Sequence, residues 1–175
     1  VGGGSESYFE VLVGGNTMLN CTPTSVTAMS SKVQRGSQVT RFTGVAGVQQ
    51  TTSDGYVTIG ALIVDPSEMF AGDADLVRTV TLEFLLETTA AGAVATVRVW
   101  NLDDNEALVD GGAASSWTSA SLTAERVISS SMTVGASAGN IKNALRTYKI
   151  QLRRNGLTND EIVTCKLAHM KFRYT

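Results

Sequence analysis

The stretch Thr79-Val80-Thr81-Leu82-Glu83-Phe84-Leu85-Leu86-Glu87 puts apolar side chains at its even positions and, Leu85 excepted, polar ones at its odd positions. A repeat of two residues is the spacing of a β-strand that buries one face. Wound into a helix, the same residues would scatter their apolar groups around the whole circumference, so this segment constrains the fold class more than any other. The pattern recurs near the end of the chain. Tyr148, Ile150 and Leu152 alternate with Lys149, Gln151 and Arg153, and Asn155-Gly156 supplies a turn dipeptide. Val163, Cys165 and Leu167 then share one face, while Ala168, Met170, Phe172 and Tyr174 continue one residue out of phase. A regular strand cannot change faces, so the phase step predicts a β-bulge near Leu167-Ala168, with His169, Lys171 and Arg173 pointing outward.

Other strands are expected at Tyr8–Val13, Tyr56–Val64, Val94–Trp100, Glu106–Val109, Val127-Ile128 and Met132–Val134. Asp54-Gly55, Asp65-Pro66, Asp103-Asp104-Asn105 and Asp110-Gly111-Gly112 punctuate them. Pro66 to Asp75 suits one helical turn, and residues 115–121 and 135–145 read as connections. Eight to ten short strands with frequent turns predict an all-β, antiparallel β-sandwich, jelly-roll-like, over residues 56–175. Residues 1–55, rich in Gly, Ser and Thr, read as an extended N-terminal arm or as irregular strands at Ser25–Met29 and Gln38–Phe42. Charged residues make up only 17% of the chain, and the net charge of −2 gives no global attraction for nucleic acid or anionic membrane. The balance is uneven: residues 1–76 carry −4, residues 77–145 carry −3 and residues 146–175 carry +5. No apolar run approaches the roughly 18 residues that span a bilayer, and no signal-peptide pattern is visible, so no membrane insertion is expected.

The residues suited to chemistry are few. His169 is the single histidine and lies on the expected solvent face. The expected bulge sets Cys165 and His169 on opposite faces, which disfavours a Cys–His pair. No Gly-x-Ser-x-Gly elbow and no zinc spacing occur, so no enzyme activity, catalytic residue or cofactor is expected. Asp103, Asp104, Glu106 and Asp110 are the calcium candidates, although they miss the EF-hand spacing and also suit a simple turn. Trp100 and Trp117, with Tyr56, are the candidates for stacking on sugar rings. Lys149, Arg153, Arg154, Lys171 and Arg173 could form a basic stripe across the last two strands, but without interleaved exposed aromatics it predicts no nucleic-acid partner. Cys21 and Cys165 either pair or stay apart, with Cys165 expected as a buried thiol.

Three blocks carry a family resemblance: residues 79–89, residues 95–105, and residues 148–153 together with 165–174. Their order and texture resemble β-sandwich domains of tailed-bacteriophage virion proteins, such as head fibres, capsid decorations and tail-fibre tips. The resemblance implies a structural component of a virus particle, located in the virion and docked on capsid or tail proteins. It further implies a homo-oligomer, often a trimer, and in some relatives a host-surface glycan partner. The competing function is a carbohydrate-binding β-sandwich module.

Overall fold

The computed structural model describes residues 9–13, 16–22, 25–28, 38–45, 47–69, 78–156 and 160–174. Two compact units emerge, Val1–Gln38 (with Thr175) and Val39–Tyr174.

The first unit holds a three-stranded antiparallel meander, β1 (Phe9–Val13), β2 (Asn16–Thr22) and β3 (Ser25–Ala28), in that order across the sheet. β1 and β3 fall where strands are expected. β2 was not anticipated, because its Thr, Asn and Cys residues give weak alternation.

The second unit is an all-β sandwich. Its strands are β4 (Gln38–Thr43), β5 (Gln49–Thr51), β6 (Val57–Val64), β7 (Arg78–Thr88), β8 (Val94–Asn101), β9 (Glu106–Ala107), β10 (Trp117–Ser119), β11 (Glu125–Ile128), β12 (Arg146–Asn155) and β13 (Val163–Tyr174). A single four-residue turn of helix, α1 (Pro66–Met69), begins at the expected proline. One sheet runs β10-β8-β12-β6, with β9 also on β8; the other runs β11-β7-β13-β4, with β5 also on β13.

Reading the eight principal strands in chain order reveals a nest. The first pairs with the eighth (β4 with β13), the second with the seventh (β6 with β12), the third with the sixth (β7 with β11), and the fourth with the fifth (β8 with β10). One long hairpin folded over itself gives this order, which is the jelly roll. The central pairings β12–β8 and β13–β7 close each sheet.

β4 and β5 belong to the sandwich, so the compact unit starts near residue 39 and not at 56 as the Thr- and Gln-rich composition suggested. Their signal is weak because they are short and pair far along the chain. The connection expected at 115–121 contains β10. Trp117 and Ser119 face inward there, and the intervening Thr118 is exposed.

The inward faces supply a continuous apolar core. Leu82, Phe84 and Leu86 of β7 meet Val97 and Val99 of β8, Tyr148, Ile150 and Leu152 of β12, and Met170 and Phe172 of β13. Gly60 has a steric reason to lack a side chain, because a Cβ there would lie 1.8 Å from the Gly44 carbonyl oxygen.

The expected bulge in β13 is present. The register against β7 shifts between Cys165 and Leu167, making Lys166 the extra residue. The step therefore comes slightly earlier than the Leu167-Ala168 junction, and Leu167 turns toward the outer face opposite Leu85. Cys165 stays fully buried, and burial pushes its thiol up to about 11. It is a free thiol within the sandwich.

Candidate functional site

The acidic residues close in sequence do not converge on one site among the described residues. Asp103 and Asp104 occupy the β8–β9 turn, which Asn105 completes with φ 53°, a value that asparagine tolerates better than most residues. Asp103 accepts the Thr147 backbone N–H at 2.6 Å. Asp104 accepts from Arg146 Nε at 2.9 Å and from the Asn101 amide at 2.7 Å. The hydrogen bond from Arg146 is the main reason the Asp104 carboxyl lies below its ordinary range. Glu106 pairs with Lys142 at 2.7 Å.

Asp110 is 7% exposed and faces a different set of donors. Its carboxylate accepts from the backbone N–H groups of Gly112 (2.9 Å), Ala114 (3.0 Å) and Ser130 (2.9 Å), and from the Trp117 indole N–H (3.2 Å). Burial alone would raise its pKa, but these hydrogen bonds outweigh it and hold the carboxyl low. The four calcium candidates thus satisfy four separate sets of partners. Among the described residues, no three His, Cys, Asp or Glu side chains gather as a metal site.

Trp117 is 6% exposed, stacks on Phe84 at 5.5 Å between ring centroids, and is pinned by Asp110. It is a core residue and offers no sugar-stacking surface. Trp100 is half-buried on the outer face of β8, as its parity with Arg98 predicts. The Arg98 guanidinium lies 4.5 Å from the Trp100 ring and 3.8 Å from the Tyr56 ring, and Arg153 lies 4.8 Å from Tyr56. Gln151 accepts from Arg98 Nε at 2.8 Å.

The basic stripe expected across the last two strands is divided between the sheets. Lys149 and Arg153 project from the outer face of β12, whereas Lys171 and Arg173 project from the outer face of β13. Arg154 belongs to neither, because it continues the inward series Tyr148, Ile150, Leu152. It is 2% exposed, donates to Asp54 through Nε at 3.0 Å, and faces Glu161 at 3.6 Å.

On the outer face of β11-β7-β13 lies an open cleft of about 280 Å³ lined by Thr79, Thr81, Glu83, Arg126, Lys171 and Arg173, among others. Glu83 is its centre, 2.7 Å from Arg126 and 3.2 Å from Lys171. Burial works to raise its pKa, but the two cations prevail and the carboxyl stays low. His169 sits directly across from Glu83 on β13 and is half-buried, with Nδ1 lacking a partner. Burial first, then the charge of Arg41, lowers its pKa and favours the neutral ring. Cys165 points to the core and His169 outward, so the two are on opposite faces as expected.

No protein-family model matches the chain, and no curated protein sequence matches it. Similar solved structures are particles of infectious bursal disease virus. The VP2 subviral particle aligns at 11% identity with a TM-score of 0.45, over 86% of this chain and 35% of that one. The Gt strain gives 13% identity and a TM-score of 0.42, over 86% and 36%. The chain therefore spans about a third of the length of those proteins, and no residue correspondence follows at such identity.

Proposed function

We propose that this chain is a structural component of a virus particle, docking on capsid or tail proteins as a homo-oligomer and contributing to decoration or host-surface adsorption. The observation that carries the reading is the nested jelly roll with its interior filled by side chains. That architecture recurs in viral capsid and lectin domains. It is an argument by fold analogy, and the resemblance of the strand blocks to phage virion domains points the same way. A filled interior leaves recognition to edges and outer faces, in keeping with a non-catalytic role.

One end of the β10-β8-β12-β6 face suits contact with a second copy. Ile63 pairs with Thr147, and Leu102 donates its backbone N–H to the Thr147 carbonyl. Leu145 precedes them, and these three apolar side chains are exposed by 68%, 46% and 60% for Ile63, Leu102 and Leu145. Exposed apolar groups clustered in this way mark interaction surfaces.

Sedimentation of the full chain tests the proposal. An oligomer that dissociates in the double variant Ile63→Ser, Leu145→Ser is expected. A monomer at every concentration, with no co-sedimentation with any particle, would overturn it. The second reading, a carbohydrate-binding module, is favoured by the outer face of β8 and β12, where Trp100 and Tyr56 lie beside Arg98.

A further inference from the structure

The outer faces of the two sheets handle their cations differently. On the cleft face, Glu83 accepts from Arg126 and Lys171. On the outer face of β8 and β12, Arg98, Lys149 and Arg153 have no carboxylate partner among the described residues. Cross-strand pairing brings these cations together: Lys149 is opposite Trp100, Gln151 opposite Arg98, and Arg153 opposite Thr96. On the other side of β12, Gln151 faces Thr58 and Lys149 faces Ala61. The neighbours are thus hydroxyl, amide, aromatic or methyl groups.

We infer that this face binds an oxyanion-bearing saccharide, with Arg98, Arg153 and Lys149 recognising its sulfate or carboxylate groups. Three features carry the inference. First, repulsion among like charges with no local acid is relieved by an external anion. Second, the guanidiniums are pre-organised. Tyr56 lies beneath both Arg98 and Arg153, and Trp100 beneath Arg98, so ring contacts fix the planes whose N–H forks meet an oxyanion. Third, the neutral groups beside the cations are bonded to one another, Gln151 accepting from Arg98 and donating to Thr58 at 3.4 Å, so no local anion competes and the Thr58 hydroxyl keeps its hydrogen for a hydroxyl-rich ligand. The same ring contacts count against nucleic acid. Arginines already cover the Tyr56 and Trp100 rings, whereas single-strand recognition uses open rings on which bases stack. The inference rests on the geometry of this face and is independent of the virion reading.

Calorimetric titration of the full chain at low salt tests it, with four probes: a size-defined sulfated hexasaccharide, its desulfated counterpart, a single-stranded oligonucleotide of equal charge, and inorganic sulfate. The sulfated sugar should bind most tightly. Losing two charge-assisted contacts in Arg98→Gln, Arg153→Gln should weaken it by about tenfold or more. Arg126→Gln on the opposite face should leave affinity within about twofold, since an exposed and already compensated charge contributes little. Arg98→Lys keeps the charge but loses the planar fork, so several-fold weakening is expected. That variant also reads the site if the double variant melts. Oligonucleotide binding as tight as that of the sulfated sugar, equal binding of the desulfated sugar, or full retention by both arginine variants would overturn the assignment. Equal occupancy by inorganic sulfate at the same concentration would reduce the site to a simple anion site and overturn the saccharide.

Discussion

The two outer faces of the sandwich are built from the same kinds of residue and reach opposite electrostatic ends. On β11-β7-β13, one carboxylate settles two cations. Glu83 is only 5% exposed despite lying on an outer face, because Arg126 and Lys171 cover it. On β8-β12, Arg98 and Arg153 rest on aromatic rings, and neither they nor Lys149 have a carboxylate partner among the described residues. A compensated cluster stabilises the fold, whereas an uncompensated but rigid one is a place where a partner gains affinity. Where a charge sits in the strand register, and not how many charges the strand carries, decides which of the two it becomes.

The largest expected effect lies in the interior that both faces share, and it calibrates the rest. Asp110→Ala strands four donors, the N–H groups of Gly112, Ala114, Ser130 and Trp117. At the cost of leaving buried polar groups unsatisfied, chemical denaturation should report a loss of about 3–5 kcal/mol. Next comes Glu83→Ala, which removes the shared partner of two cations. Arg126 is 58% exposed and Lys171 only 14%, so the loss falls between the surface and buried cases, at about 1–3 kcal/mol. A loss no larger than that of Arg126→Ala, expected at about 0.5 kcal/mol, would erase the contrast between the faces. Of similar small size is Arg98→Gln, with about 0.5–1 kcal/mol from lost ring contacts. A larger loss would mean that this face is structural too.

Acid sharpens the comparison separately. The Glu83 and Asp110 carboxyls are held below their ordinary values of 4.5 and 3.8. In each case the unfolded chain takes up the proton first as pH falls. Their contribution is therefore complete above the ordinary value and is lost as pH falls through the lower folded value. Stability followed from pH 7 downward should drop below about pH 5. Glu83→Gln should flatten part of that fall, while Arg98→Gln should leave its shape unchanged.

Much of this arrangement was legible from local pattern. The alternation at 79–87 and 148–152 identified β7 and β12, and the phase step after Cys165 located the β13 bulge to within about a residue. The same alternation carried one more signal: in the series Tyr148, Ile150, Leu152, Arg154 the arginine takes an inward position. Reading it with its neighbour Arg153 as one surface stripe hid that signal. The nested pairing was not legible, because strand existence is written in a few adjacent residues, while partner choice depends on the whole set of buried faces. For the same reason, β4, expected as a strand at Gln38–Phe42, was assigned to the arm and not to the sandwich, and β5 and β10 were blurred into an arm and a connection. Trp117 had a readable clue in Trp-Thr-Ser alternation, but its lock, Asp110, lies seven residues away in a Gly-rich turn. Of the binding candidates, Trp100 shares the parity of Arg98 and lies on the outer face of β8. Its capping by Arg98 and the joining of Tyr56 to it depend on β6 and β8 flanking the same strand, β12.

The nesting has a temporal consequence. A ribosome makes β4 early and β13 last among these strands, yet β13 lies between β7 and β4 in its sheet. Until β13 emerges, β4 lacks the strand that joins it to β7. The partly made sheet therefore offers open edges of the kind that invite aggregation. Closure pairs segments separated by well over half the chain, a topology that folds slowly. Shortening the wait by circular permutation, with β13 placed ahead of β4, should speed refolding more than it changes final stability.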